Sequence, residues 1–201
     1  MRPIHTLLLA PALLALAACG PSTEPTTDAD ATAPPVAPAT PADVAETTRA
    51  EARAASAALE PTEGNEARGN LRFEVADGYV HVTGQVTGLT PGAEHGFHVH
   101  ETGDCSAPDG TSAGGHFKPD DSDHGRAGEG EHHVGDSDNL MANDEGVADV
   151  DRQLHGATIG DGAAGDIVGK GVIVHAGADD YVSQPTGDAG ARLACGVIEA
   201  Q

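Results

Sequence analysis

The clearest alternation of apolar and polar positions in the chain lies at residues 71–86. Leu71, Phe73 and Val75 alternate with polar residues, Asp77-Gly78 follows, and Val80, Val82 and Val86 continue beyond it. A period of two buries one face of a strand, and Asp-Gly accommodates the backbone of a two-residue turn, so the stretch predicts an antiparallel hairpin. A weaker first strand is expected from about Glu51, in AASAALEPTEGNEARG, ending at a turn over 61–65. Further short strands are expected over 95–101, 139–142, 147–152, 171–176 and 192–199, with a turn at 143–146. Together these make about eight short antiparallel strands with long loops between some of them, which reads as an all-β sandwich or barrel. No internal repeat is evident.

Composition narrows the picture. Aromatic residues make up only 2% of the chain, so the core must be built from Val, Ile, Leu and Ala. The 27 glycines and 13 prolines suit many turns and loops. A formal charge of −22, with only ten Lys and Arg, excludes a nucleic-acid partner, because phosphate binding needs clustered cations.

Residues 1–18 read as a signal peptide: Arg2 precedes the apolar run LLLAPALLALAA, which is too short and too Pro-interrupted to span a bilayer. Leu16, Ala17, Ala18 and Cys19 resemble a bacterial lipobox, implying cleavage, lipidation of Cys19 and a membrane anchor. By resemblance to lipoprotein sorting patterns, Gly20 in place of an acidic residue favours the outer membrane; the alternative is an ordinary secretory peptide cut near Ala18, and either way the protein is expected to be exported, to the periplasm or cell envelope. Residues 19–49 are rich in Pro, Ala, Thr and acids without apolar periodicity, and are expected to form a disordered tether. The folded domain is expected over 50–201.

The candidate chemistry concentrates between Gly96 and Asp136, which holds six of the eleven histidines: His98, His100, His116, His124, His132 and His133. Neutral imidazole is the commonest side-chain ligand for zinc and copper. In GFHVH, His98 and His100 are two apart, so a strand projects both from one face while Phe97 and Val99 point into the opposite layer. GGHF adds His116, SDHG adds His124, HHVGD adds His133 with Asp136, and VIVHAGADD adds His175 at the end of an apolar strand.

The motifs GFHVHE, GGHF, HHVGD, GVADV, VIVHAGADD and ARLACGVI together resemble the copper/zinc superoxide dismutase family, in its bacterial lipoprotein form, across roughly 51–201. The resemblance implies a Greek-key β-sandwich or barrel, and superoxide as the substrate, converted alternately to dioxygen and hydrogen peroxide. It implies copper on His98, His100, His116 and His175, and zinc on His116, His124, His133 and Asp136, with His116 bridging the two metals. Asp179 would link His98 to His124, and Arg192 would stand at the copper mouth and act on the substrate anion, with His116 as its catalytic partner. Cys105 and Cys195 would form the family disulfide. A homodimer is left open, since bacterial and eukaryotic members pair through different surfaces. A non-catalytic copper- and zinc-binding envelope lipoprotein is the alternative reading. The other histidines are expected to play no metal role: His5 leaves with the signal, His81 and His155 lie on or beside strands, His95 precedes the copper motif, and His132 faces solvent.

Overall fold

The computed structural model describes residues 54–201. The signal sequence, Cys19, the tether and His5 lie outside the described residues, as do the first four positions of the expected domain.

Ten strands follow one another in chain order: β1 (Ala54–Pro61), β2 (Arg68–Ala76), β3 (Tyr79–Thr87), β4 (Glu94–His95), β5 (Phe97–His100), β6 (Leu140–Met141), β7 (Ala148–His155), β8 (Gly171–His175), β9 (Arg192–Val197) and β10 (Glu199–Ala200). Eight form one antiparallel sheet in the order β5-β8-β9-β1-β2-β3-β7 with β10 also on β1, while β4 and β6 pair separately. The sheet is curled into a half-barrel. The connection from β7 to β8 crosses from one edge of the sheet to the neighbourhood of the other, as a Greek key requires.

The expected hairpin is β2 and β3, in the register Phe73 to Val82 and Val75 to Val80. Its turn needs Gly78, whose φ of 88° is a left-handed conformation that side chains resist. One expectation fails here. Leu71 and Phe73 are buried, but Val75 is 49% exposed. Its partner Val80 is covered from the other side by Leu154 of β7, whereas β1 begins opposite Glu74, so among the described residues no strand pairs with Val75 on its other side.

All three phenylalanines, Phe73, Phe97 and Phe117, are buried with Leu59, Leu140, Leu154, Ile159, Ile167 and Ile198 in one core. Aliphatic residues do dominate it. β5 is buried along its whole length, so Phe97 and Val99 face this core while His98 and His100 face the loops on the far side.

Candidate metal centre

Two strands and a set of stitched loops build the site. β5 pairs with β8 so that His98 lies opposite Ile173 and His100 opposite Gly171. β8 ends at His175, where the register slips between Val174 and His175 and the His175 amide turns back to the Gly96 carbonyl at 2.8 Å. The loop after β5 returns through a bridge between His100 and His116; the Phe117 amide donates to the Val99 carbonyl and the Gly135 carbonyl accepts from the Val99 amide, which ties both loops to β5. Three segments far apart in sequence thus converge on one pocket.

Four imidazoles, those of His98, His100, His116 and His175, offer nitrogens that all lie within 4.8 Å of one another, and every one of the four residues is buried. His116, His124, His133 and Asp136 form a second such group. In the second group Asp136 Oδ1 lies 2.8 Å from His116 Nδ1, 3.0 Å from His124 Nδ1 and 3.2 Å from His133 Nδ1. His133 Nδ1 and His116 Nδ1 are 3.4 Å apart. A tetrahedral ion with bonds near 2.0–2.1 Å has ligand-to-ligand edges of about 3.3 Å, so these spacings fit one metal.

The tautomers fit as well. His100 Nδ1–H donates to the Gly114 carbonyl at 2.9 Å and His175 Nδ1–H to the Gly190 carbonyl at 3.1 Å, leaving both Nε2 lone pairs facing the first cluster. Asp179 takes His98 Nε2 at 2.6 Å and His124 Nε2 at 2.9 Å, leaving each Nδ1 for a metal. His98 Nδ1, His116 Nε2 and His124 Nδ1 are buried without a hydrogen-bond partner; His124 Nδ1 is near Asp136 but badly aligned with it. Unpaired buried nitrogens cost free energy. That three of them aim into the two clusters is what a metal pair would resolve.

Electrostatics follow from burial and carboxylates. Burial, reinforced by neighbouring imidazoles, pulls His100 well below the usual histidine range, His116 to about 4 and His175 to about 3. These rings are neutral at physiological pH and able to ligate. Burial also opposes charge on His124, but Asp136 and Asp179 outweigh it and hold the ring's pKa up at about 9. Burial likewise opposes the Asp136 and Asp179 carboxylates, yet hydrogen bonds from the imidazoles keep both far below the usual range.

The surroundings hold these groups still. Asp136 Oδ2 accepts from the amides of His133 and Gly125. A side chain on Gly187, at φ 64°, would collide with the Asp179 carboxylate and the His124 ring, so only glycine fits there. Half-buried Arg192 donates to the carbonyls of Gly110 and Gly114, both at 2.6 Å. A disulfide joins Cys105 to Cys195 with Cα atoms 5.7 Å apart.

Among the described residues four histidines stand outside the clusters, and His132 differs from expectation. His132 is half-buried, its Nδ1 donating to the His133 carbonyl at 2.8 Å and its ring lying 6.2 Å from that of His155. His95 is fully buried and donates from Nδ1 to the His175 carbonyl at 2.8 Å, so it braces a cluster residue through the backbone. His81 pairs with Asp151 at 2.7 Å, and His155 packs on Tyr79. Asn139 and Tyr181 also escape sequence reasoning. Asn139 brackets the Asp179 backbone, and Tyr181 N–H donates to Asp179 Oδ1 at 2.7 Å.

Comparison with known proteins agrees with this architecture. The copper/zinc superoxide dismutase family model matches residues 67–198. Cu-Zn superoxide dismutase 2 of Mesembryanthemum crystallinum is 41% identical over 144 residues, covering 68% of this chain and 90% of its own. Cu-Zn superoxide dismutase 2 of Aquifex aeolicus is 40% identical over 114 residues, covering 55% of this chain and 67% of its own. Among solved structures, a double mutant of a superoxide dismutase-like protein from Bacillus subtilis has a TM-score of 0.65 at 35% identity, covering 72% of this chain and 97% of that one. The clock protein EA4 reaches 0.66 at 40% identity, over 75% of this chain and 96% of that one. With the matched span running from β1's turn to the last strands and both histidine clusters inside it, the chain belongs to the copper/zinc superoxide dismutase family, whose metals are copper and zinc.

Proposed function

We propose that the protein is a superoxide dismutase, with copper on His98, His100, His116 and His175 and zinc on His116, His124, His133 and Asp136. The observation that carries this reading is His116: it belongs to both clusters, with Nδ1 toward Asp136 and a buried, unpartnered Nε2 toward the other histidines. Bound copper would supply the one-electron chemistry that turns superoxide alternately into dioxygen and hydrogen peroxide, and zinc, without redox chemistry, a closed structural site.

The chain's own residues divide the remaining work. His116 Nε2 is the nitrogen placed to hold and release a proton beside the substrate site. Arg192 presents a fixed positive charge at the same face, which attracts a small anion although the whole chain carries −22. Asp179 orients one imidazole of each cluster. A non-catalytic metal carrier is the competing reading; the intact four-histidine cluster and the pinned Arg192 support catalysis over it.

Export and anchoring through Cys19 belong to the same proposal, supported by the lipobox-like residues 16–19 and by a disulfide suited to an oxidising compartment. Acyl labelling of the wild type and of Cys19→Ala tests the anchor, and label retained by the variant would refute it. For the activity, the purified protein is assayed for bound copper and zinc and for superoxide removal. One copper and one zinc per chain with rapid removal is expected; full copper loading without activity would sink the catalytic reading.

A further inference from the structure

Along β7, Ala148, Val150 and Leu154 are buried and the residues between them are exposed or half-buried, so position 152 falls on the core-facing register. It is occupied by an arginine, half-buried and opposite the fully buried Val82. A charged residue on a core face needs partners that justify it. Arg152 finds them in backbone alone: Nε donates to the Asp138 carbonyl at 3.1 Å, Nη2 to the Asn139 carbonyl at 2.5 Å and Nη1 to the Asp151 carbonyl at 2.7 Å. No carboxylate of the described residues pairs with it.

What it holds is the short segment that follows Asp136 of the second cluster. Asp138 and Asn139 directly follow Asp136 and Ser137. Asn139 Nδ2 donates to the Asp179 carbonyl at 2.9 Å while its Oδ1 accepts the Asp179 amide at 2.8 Å, and its own amide donates to Tyr181 Oη at 3.0 Å. Asp179 in turn orients His98 and His124. The chain of contacts runs from the barrel wall, through a turn, to imidazoles of both clusters.

Resting on the metal assignment above, we propose that Arg152 is a positioning residue: by capping the Asp138 and Asn139 carbonyls it fixes the Asn139 clamp on Asp179 and thereby holds zinc in the second cluster. A guanidinium suits this, because its divergent donors reach three carbonyls at once, which a lysine ammonium on a single point of attachment does not. Arg126 provides the contrast. It meets the same segment from the surface, through the Asp138 carboxylate at 2.8 Å and the Tyr181 ring at 5.3 Å, and touches no backbone carbonyl there.

The test uses the full protein loaded with copper and zinc and follows zinc release to an excess of chelating dye, together with the electron paramagnetic resonance spectrum of the copper. Arg152→Met should speed zinc release by roughly tenfold, at the low end of the 10- to 100-fold loss of affinity that follows removal of groups bonded directly to metal ligands. Arg152→Lys should restore part of the retention, and Tyr181→Phe, a mild change that keeps the ring, should speed release several-fold if Arg152→Met does not fold. The copper spectrum should shift in Arg152→Met, since Asp179 also orients His98. Arg126→Met should release zinc at about the wild-type rate. Zinc held as tightly by Arg152→Met and Tyr181→Phe as by the wild type would overturn the positioning role alone. So would an equal gain from Arg126→Met, or a loss of metal-free stability with release and spectrum unchanged. A wild type that binds no zinc would instead overturn the metal assignment, and this proposal with it.

Discussion

The Nε2 atoms of His100 and His175 face each other across 3.4 Å although 75 positions separate them in the chain. Two imidazoles at that distance cannot both carry a proton without strong repulsion, and burial already disfavours charge on each.

The metal-free fold should therefore lose stability in acid. His116 and His175 stand at about 4 and about 3, against 6.5 for the ordinary side chain. Below about pH 6.5 the unfolded chain binds protons that the fold refuses until about pH 3–4, so stability drops as pH falls through that window. Asp136 and Asp179, held low, add stability above the ordinary carboxyl range that is lost on acidification. His124 works in the opposite direction: its pKa is raised to about 9, so its contribution is full below 6.5 and lost as pH rises through 9. Calorimetric melting of the metal-free protein should show a maximum near neutrality and a fall on either side. A melting point flat from pH 7 to pH 4 would contradict the burial of the first cluster.

Zinc uptake should release a proton. In the metal-free fold His124 keeps its proton to about pH 9, and a metal needs that lone pair. Calorimetry at pH 7.5 in buffers of different ionisation enthalpy should give about one proton per zinc. Uptake with no proton release would show that His124 is neutral beforehand or is not a ligand.

Arg192→Met should reduce kcat/KM for superoxide by roughly tenfold and flatten its decline with rising salt, because a pinned cation near a cleft acts mainly on encounter. Copper content is expected to stay at one per chain. Rates measured across ionic strengths decide it; an unchanged salt dependence would remove this arginine from the substrate's path.

Opening the disulfide should be costly. Cys105 and Cys195 are 90 residues apart, and closing so long a loop is worth about 4–5 kcal/mol on chain-entropy reasoning. The same loop carries the Gly110 and Gly114 carbonyls that hold Arg192. Urea unfolding of Cys105→Ser with Cys195→Ser should show a deficit of that order, with activity lowered beyond what stability explains. A double variant as stable as the wild type would leave the link without a structural role.

Much of this was legible in the chain. The β2–β3 hairpin followed from Asp77-Gly78 and the alternating valines, and the two clusters comprise the eight ligand positions suggested by resemblance, His116 counted in each. Boundaries were less visible. The strand expected over 147–152 runs on to His155, because pairing with Tyr79 continues past the apolar pattern. The stretch 95–101 divides at Gly96 into β4 and β5, which join different partners. His95, Asn139, Tyr181 and Arg152 could not be assigned roles because each acts through a main-chain amide or carbonyl, its own or that of a residue remote in sequence, and such a contact leaves no spacing to read.

His116 and Asp179 each touch both clusters, and this has a thermodynamic corollary. With copper and zinc bound as proposed, a shared ligand and a shared orienting carboxylate would make the two binding free energies interdependent, and linkage of that kind is reciprocal. Whatever factor the first ion confers on the affinity for the second, the second confers on the first. Neither site then has a single intrinsic affinity; each has two, and which one operates depends on the order in which the ions arrive.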